Sequence, residues 1–207
     1  MSVFRPDSEF MEFLGKVADF VILNLLCAIC SIPIVTAGAA ITARNYTAMK
    51  MTRGEEPSAV KSYFKSFREN FRQVTAIWMG FVVIWAMIAL DWYNIIMHPT
   101  HNFPFTLKIV FAVMTFIFWA TNDCLFYLEA RFELKSLQLV KTALIMALLN
   151  IPKMVLICAA TFLPYIICVW YIQWGLGIWI LCKCVSLYYI SKGWNRQFSK
   201  VLTGGEV

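Results

Sequence analysis

The sequence divides into six apolar runs of helical length with few charges, at residues 17–32, 34–50, 74–97, 105–128, 152–172 and 175–191. A helix needs about 20 residues to cross the hydrocarbon of a bilayer, with ~17 as the lower limit. Backbone in lipid must satisfy its own hydrogen bonds, which favours helices. The pattern therefore predicts an all-α, polytopic transmembrane helix bundle forming a single domain over residues 1–207. Composition points the same way. Charged residues make up 14% of the chain, against roughly 25% in a soluble domain. A soluble fold of this length could not cover a 60% hydrophobic composition, whereas a bundle in lipid need not cover it.

The first two runs are short, and Pro33 and Gly38 interrupt them. A helix tends to end just before proline. Residues 17–43 read either as one long pass or as two passes joined by a turn at SIPIVTAG. Six passes, the preferred count, put both termini in the cytoplasm; five put the N-terminus outside. Seven of the 18 basic residues lie between Arg44 and Arg72, while HPTHNFPFT at 98–106 has none. By the positive-inside rule, 44–72 is cytoplasmic and 98–106 is external. Lys192, Arg196 and Lys200 place the C-terminal tail inside. AGA at 37–39 resembles a signal cleavage site, but Asp7, Glu9, Glu12 and Asp19 precede it, so the segment is read as structure.

The most polar stretch is RGEEPSAVKSYFKSFRENFRQ at 53–73. With Pro57 as first helical residue, Val60, Tyr63, Phe64, Phe67 and Phe71 share an arc of about 100°. Lys61, Lys65, Arg68 and Arg72 lie together on its flank. This predicts an interfacial helix over 57–72, its rings in the headgroup boundary and its basic ends reaching lipid phosphate or a partner. The bland alternative is a solvated loop that only sets topology. A nucleic-acid groove would need exposed rings on a folded sheet or barrel, so nucleic acid is not expected as a partner. A second connector is predicted over 133–149. Val140-Lys141, Asn150 and Ile157 there repeat Val60-Lys61, Asn70 and Ile77 at a spacing of 80 residues.

Within the apolar runs, Asp123 and Lys183 are the charges that demand explanation, because ionisable groups in a span usually face the bundle or a wet cavity. They fall roughly 9 and 13 Å from Glu129 and Lys192 along their helices, a depth that permits an ion pair. Such a pair can be structural or can line a path. Asn24 is read as helix glue worth ~0.6 to 2 kcal/mol, beside the small residues AGAA at 37–40. Asp91 is read as a boundary carboxylate beside Trp92 and Tyr93. Pro164 is expected to kink the fifth pass.

All seven cysteines, Cys27, Cys30, Cys124, Cys158, Cys168, Cys182 and Cys184, sit in apolar runs and read as small buried hydrophobes. His98 and His101 are too few for a metal site. No phosphate loop, HExxH, serine elbow or catalytic carboxylate pair is present in the sequence. Neither enzyme activity nor a cofactor or metal is therefore expected.

NLLCAICSIPIVTAGAAITARNYTAMKMTRGEE at 24–56, followed by SFRENFRQVTAIW at 66–78, resembles the YesL-like family of bacterial membrane proteins. ARFELKSLQLVKTALIMALLNIPKMVL is similar to that family's looser second block. The chain departs from the pattern at Cys27, where tryptophan is usual, and at Arg44-Asn45. The resemblance implies a bacterial plasma membrane location and an association with ABC-type carbohydrate importers, without a mechanism. Two functions follow as expectations. One is an accessory or scaffolding subunit of carbohydrate (oligosaccharide) uptake, with permease and ATPase subunits as partners. The other is a self-contained small-molecule transporter, working as a homo-oligomer, with Asp123 and Lys183 on the path.

Overall fold

The computed structural model describes residues 9–55, 58–97, 104–132, 134–170 and 175–202, with backbone alone at 9–13, 163–170, 175–182 and 200–202. Among them the chain is all helical. The order is α1 (Glu9–Cys30), a 3-10 turn (Ile34–Thr36), α2 (Ala37–Thr52), α3 (Ala59–Met97), α4 (Phe105–Glu129), α5 (Ser136–Leu149), α6 (Ile151–Trp170) and α7 (Gly175–Leu202).

The proline-containing turn ends α1 as expected. Thr36 Oγ1 donates to the carbonyls of Cys30 at 2.6 Å and Pro33 at 2.9 Å, occupying acceptors freed where the α-helix stops. The chain then reverses into α2. This helix has 16 residues, among them Thr42, Arg44, Asn45, Thr47 and Lys50. It is shorter than the ~17-residue lower limit for a pass. Nine of its residues are buried, from Gly38 to Met49, because α1, α3, α4 and α7 all pack around it. The run at 34–50, expected as a lipid-crossing pass, is thus a sheathed central helix.

Small residues make the closest contact possible. A Cβ on Gly38 would lie 2.6 Å from Trp78 Cβ and 3.3 Å from Val74 Cγ1, so glycine is required where α2 meets α3. Trp78 Nε1 also donates to the Ile34 carbonyl at 2.7 Å. Trp78 lies midway along α3, so the α1–α2 turn reaches only half the height of that helix.

α3 is a single helix of 39 residues, about 58 Å long. The segments 57–72 and 74–97, expected as an interfacial helix and a separate pass, are one rod from Ala59 onward; Pro57 lies outside the described residues. Its length exceeds the ~30 Å hydrocarbon core by about 28 Å. α3 and α4 are each long and apolar enough to cross a membrane. α5 and α6 meet at a 95° bend and together could form a third, broken span. Helices of spanning character therefore number two or three among the described residues, against the six expected, and α2, too short and too polar to cross lipid, is one of those that do not qualify.

The bend has a local cause. Asn150 Nδ2 donates to the Met146 carbonyl at 2.9 Å, and Pro152 follows two residues later, with no N–H to continue the ladder. α5 keeps Leu139, Ala143 and Ala147 inside and leaves Leu137, Ile145 and Leu149 exposed, so it is a connector helix distinct from α6.

Candidate functional site

Two regions bring polar side chains together. The first is the end of the molecule where α2 stops and α3 starts. Gly54 takes a left-handed φ of 79°, a conformation that suits glycine. Arg53 Nε donates to Glu55 Oε1 at 2.8 Å, and Lys50 Nζ lies 3.5 Å from Glu55 Oε2. The Arg53 hydrogen bond holds the Glu55 carboxyl below its usual range. Asn195 of α7 donates from Nδ2 to the Met49 carbonyl at 2.8 Å and to Thr52 Oγ1 at 2.7 Å, capping α2 from a distant part of the chain.

Beside this cap, the first four turns of α3 carry the cationic run. Lys61, Lys65, Arg68 and Arg72 are all exposed, and Lys65 lies 4.0 Å from Glu69. The aromatic residues divide between two environments. Phe64 is 48% exposed, but Tyr63 is fully buried and its hydroxyl donates to the Leu26 carbonyl at 3.5 Å. Phe67 stacks on Tyr63 at 6.2 Å and meets Phe71 at 5.5 Å. Tyr63 turns inward because Ala59, Ser62 and Ser66 on the same side are small and buried, which lets α1 and α2 approach. Of the rings expected in the headgroup boundary, Tyr63 is therefore part of the core.

A cleft of about 700 Å³ opens between this part of α3 and the α4–α5 connection, lined by Tyr46, Lys65, Glu69, Gln73, Arg131 and Lys135, among others. Gln73 Nε2 fixes its floor by donating to the Leu134 carbonyl at 2.6 Å. Glu129 borders the same cleft and is 7% exposed. The cleft thus presents both signs of charge.

The second region surrounds α2 in the packed core. Asp123 Oδ2, Asn122 Oδ1, Thr42 Oγ1 and Ser191 Oγ are buried atoms without a hydrogen-bond partner among the described residues. They come from α2, α4 and α7. Lys183 Nζ donates to the Thr161 carbonyl of α6 at 3.1 Å. The sequence singled out Asp123 and Lys183 but overlooked Arg44, a third charge, carried by the sheathed helix α2. Its position in a helix too polar to be a lipid-facing pass was the available signal. Asn24 donates to the Phe20 carbonyl at 3.0 Å and to Cys184 Sγ at 3.5 Å, joining α1 to α7 as an interhelical polar contact.

His98 and His101 lie outside the described residues, as do the side chains of Pro164, Cys168 and Cys182. Cys27, Cys30, Cys124, Cys158 and Cys184 are free thiols. Among the described residues, no group of three or more metal-ligating side chains converges. No curated protein and no solved structure matches the chain. Residues 20–92, which contain both motif blocks at 24–56 and 66–78, match the model of a family described as a protein of unknown function, DUF624.

Proposed function

We propose that the chain is a membrane-embedded accessory or scaffolding subunit that receives a partner at its cationic end. The observation carrying this reading is the continuity of α3. One continuous helix holds Lys61, Lys65, Arg68 and Arg72 exposed on the segment that extends past the hydrocarbon, next to a cleft bearing both charge signs. Such a surface complements an acidic, polar face of another protein and steers its approach. The excess of basic residues at this end supports a cytoplasmic orientation and a multi-pass plasma membrane location. The carbohydrate-import setting rests on the resemblance alone, so the partner class is the permease or ATPase subunit of an ABC sugar importer.

Purification of the full chain in mild detergent tests this. Permease and ATPase subunits should co-purify, and reversal of Lys61, Lys65, Arg68 and Arg72 to glutamate should release them. A lone chain that moves labelled oligosaccharide into liposomes would overturn the reading.

The unsatisfied polar atoms around Asp123 favour a second reading, a transporter with this cluster on its path. A double-mutant cycle between Asp123→Asn and Arg44→Gln should show coupling of about 0.5–3 kcal/mol if the two act together structurally. Under the transport reading, Asp123→Asn abolishes uptake while leaving the protein folded.

A further inference from the structure

We infer that the groove between α6 and α7 is a binding site for an anionic glycerophospholipid. The groove has a volume of about 450 Å³. At one end stand Lys153 and Arg196, both exposed. Lys153 Nζ donates to Gln197 Oε1 at 3.4 Å, which leaves the Gln197 amide N–H groups available to an anion. Along the next two turns of α6 the lining becomes apolar through Leu156, Ile157 and Ala160, and α7 contributes Tyr189 and Ile190.

α6 and α7 run antiparallel here. Ser186 Oγ reaches the Ala160 carbonyl at 2.9 Å, and Lys183 Nζ the Thr161 carbonyl at 3.1 Å. The cations therefore sit together at one end and the apolar walls continue from it, the same order as headgroup and acyl chain in a lipid. Basic pockets between membrane helices recognise anionic headgroups in this way.

Charge distinguishes this groove from the other cationic surface. No acidic residue lines it, whereas Glu69 lies within the run on α3 and beside Lys65. An anion entering the α6–α7 groove meets two positive groups and no competing carboxylate. Leu156 is 70% exposed and Tyr189 67% exposed, so the walls are open to lipid along their length. This site is separate from the docking surface proposed above and does not depend on it.

Native mass spectrometry of the full chain in neutral detergent, with phosphatidylglycerol and phosphatidylcholine as competing probes, tests the site. A basic side chain near a headgroup contributes about fivefold, so a preference for phosphatidylglycerol of ~25-fold is expected. Lys153→Gln combined with Arg196→Gln should bring the ratio close to one, while Lys141→Gln, an exposed cation on α5 away from the groove, should leave it unchanged. Gly193 lines the groove, and no atom lies within 4 Å of a Cβ added there. Gly193→Leu should fill the groove and abolish retention of both lipids without disturbing the fold. Retained preference in the Lys153/Arg196 double variant, or retained lipid in Gly193→Leu, would overturn the site. Displacement by soluble glycerol phosphate at the same concentration would also overturn it, because headgroup chemistry alone would then account for binding.

Discussion

The two ends of α3 live in different surroundings. From Ala59 to Phe81 the helix buries six side chains, among them Tyr63, Val74 and Phe81, against α1, α2 and α4. From residue 82 to 97 none is buried. α4 repeats this in reverse: residues 105–119 have no buried side chain, while nine residues between Ala120 and Glu129 are buried. What holds the outer part of this pair together is a ladder of rings, with Phe81 on Phe118 at 5.0 Å, Trp85 on Phe118 at 5.3 Å and Trp92 on Phe111 at 5.4 Å. Aromatic contacts of this kind add about 0.5–1.5 kcal/mol each beyond area burial. The packed half relies on close fit; the outer half relies on its solvent being hydrocarbon.

The contrast fails most visibly if the outer half is not in lipid. Val83 is 58% exposed, and Val83→Arg should cost about 2.5–3.5 kcal/mol of membrane insertion, read by glycosylation-tag insertion assays; near-zero cost would place this face in water. The next largest effect separates two glycines. Gly38→Ala forces a Cβ into Trp78 and should destabilise by ~1–3 kcal/mol, measured by thermal unfolding in detergent. Gly80 has nothing within 4 Å of a new Cβ, so Gly80→Ala should be neutral or stabilise by up to about 1 kcal/mol. Equal losses at both sites would erase the distinction.

A smaller effect is expected at the cap. Asn195→Ala removes the hydrogen bonds to Met49 and Thr52 and should cost about 1 kcal/mol, visible as earlier proteolysis near Gly54. The smallest is a pH dependence confined to the same end. Because Glu55 titrates below its ordinary value of 4.5 in the folded chain, its ion pairs stabilise above that pH and are lost as pH falls through the folded value. Glu55→Gln should lower the unfolding midpoint slightly at pH 7, where the ion pairs are intact, and the difference from the parent should vanish as pH falls through the folded value.

The elements that face lipid were legible in the sequence. The runs at 74–97 and 105–128 fall within α3 and α4, and the turn at Pro33 ends α1 where proline predicts. α2 was not legible as a sheathed helix, because hydropathy cannot distinguish contact with lipid from contact with other helices. Arg44 in the middle of the run was the residue that spoke against lipid.

The two connectors show the same limit. Asn70 and Asn150 each donate to the carbonyl four residues back, of Ser66 at 3.2 Å and of Met146 at 2.9 Å. Arg72 follows the first and Pro152 the second, so α3 continues as one helix while α5 and α6 part at 95°. The repeat was visible; that one proline would decide between rod and elbow was not drawn from it. Lys61, Lys65, Arg68 and Arg72 were legible as an exposed cationic face. Tyr63 was not placed inside, because helical periodicity alone cannot say which side of an aromatic arc another helix will cover.

The wrapping of α2 also constrains the order of assembly. A 16-residue segment bearing Arg44, Asn45 and Lys50 partitions poorly into hydrocarbon by itself. Its shelter includes α7, which the ribosome makes well after α2 and which supplies Asn195 to its end. α2 must therefore wait, at the membrane surface or against α3, until α7 emerges. A nascent chain stalled before residue 175 would expose what the finished protein hides.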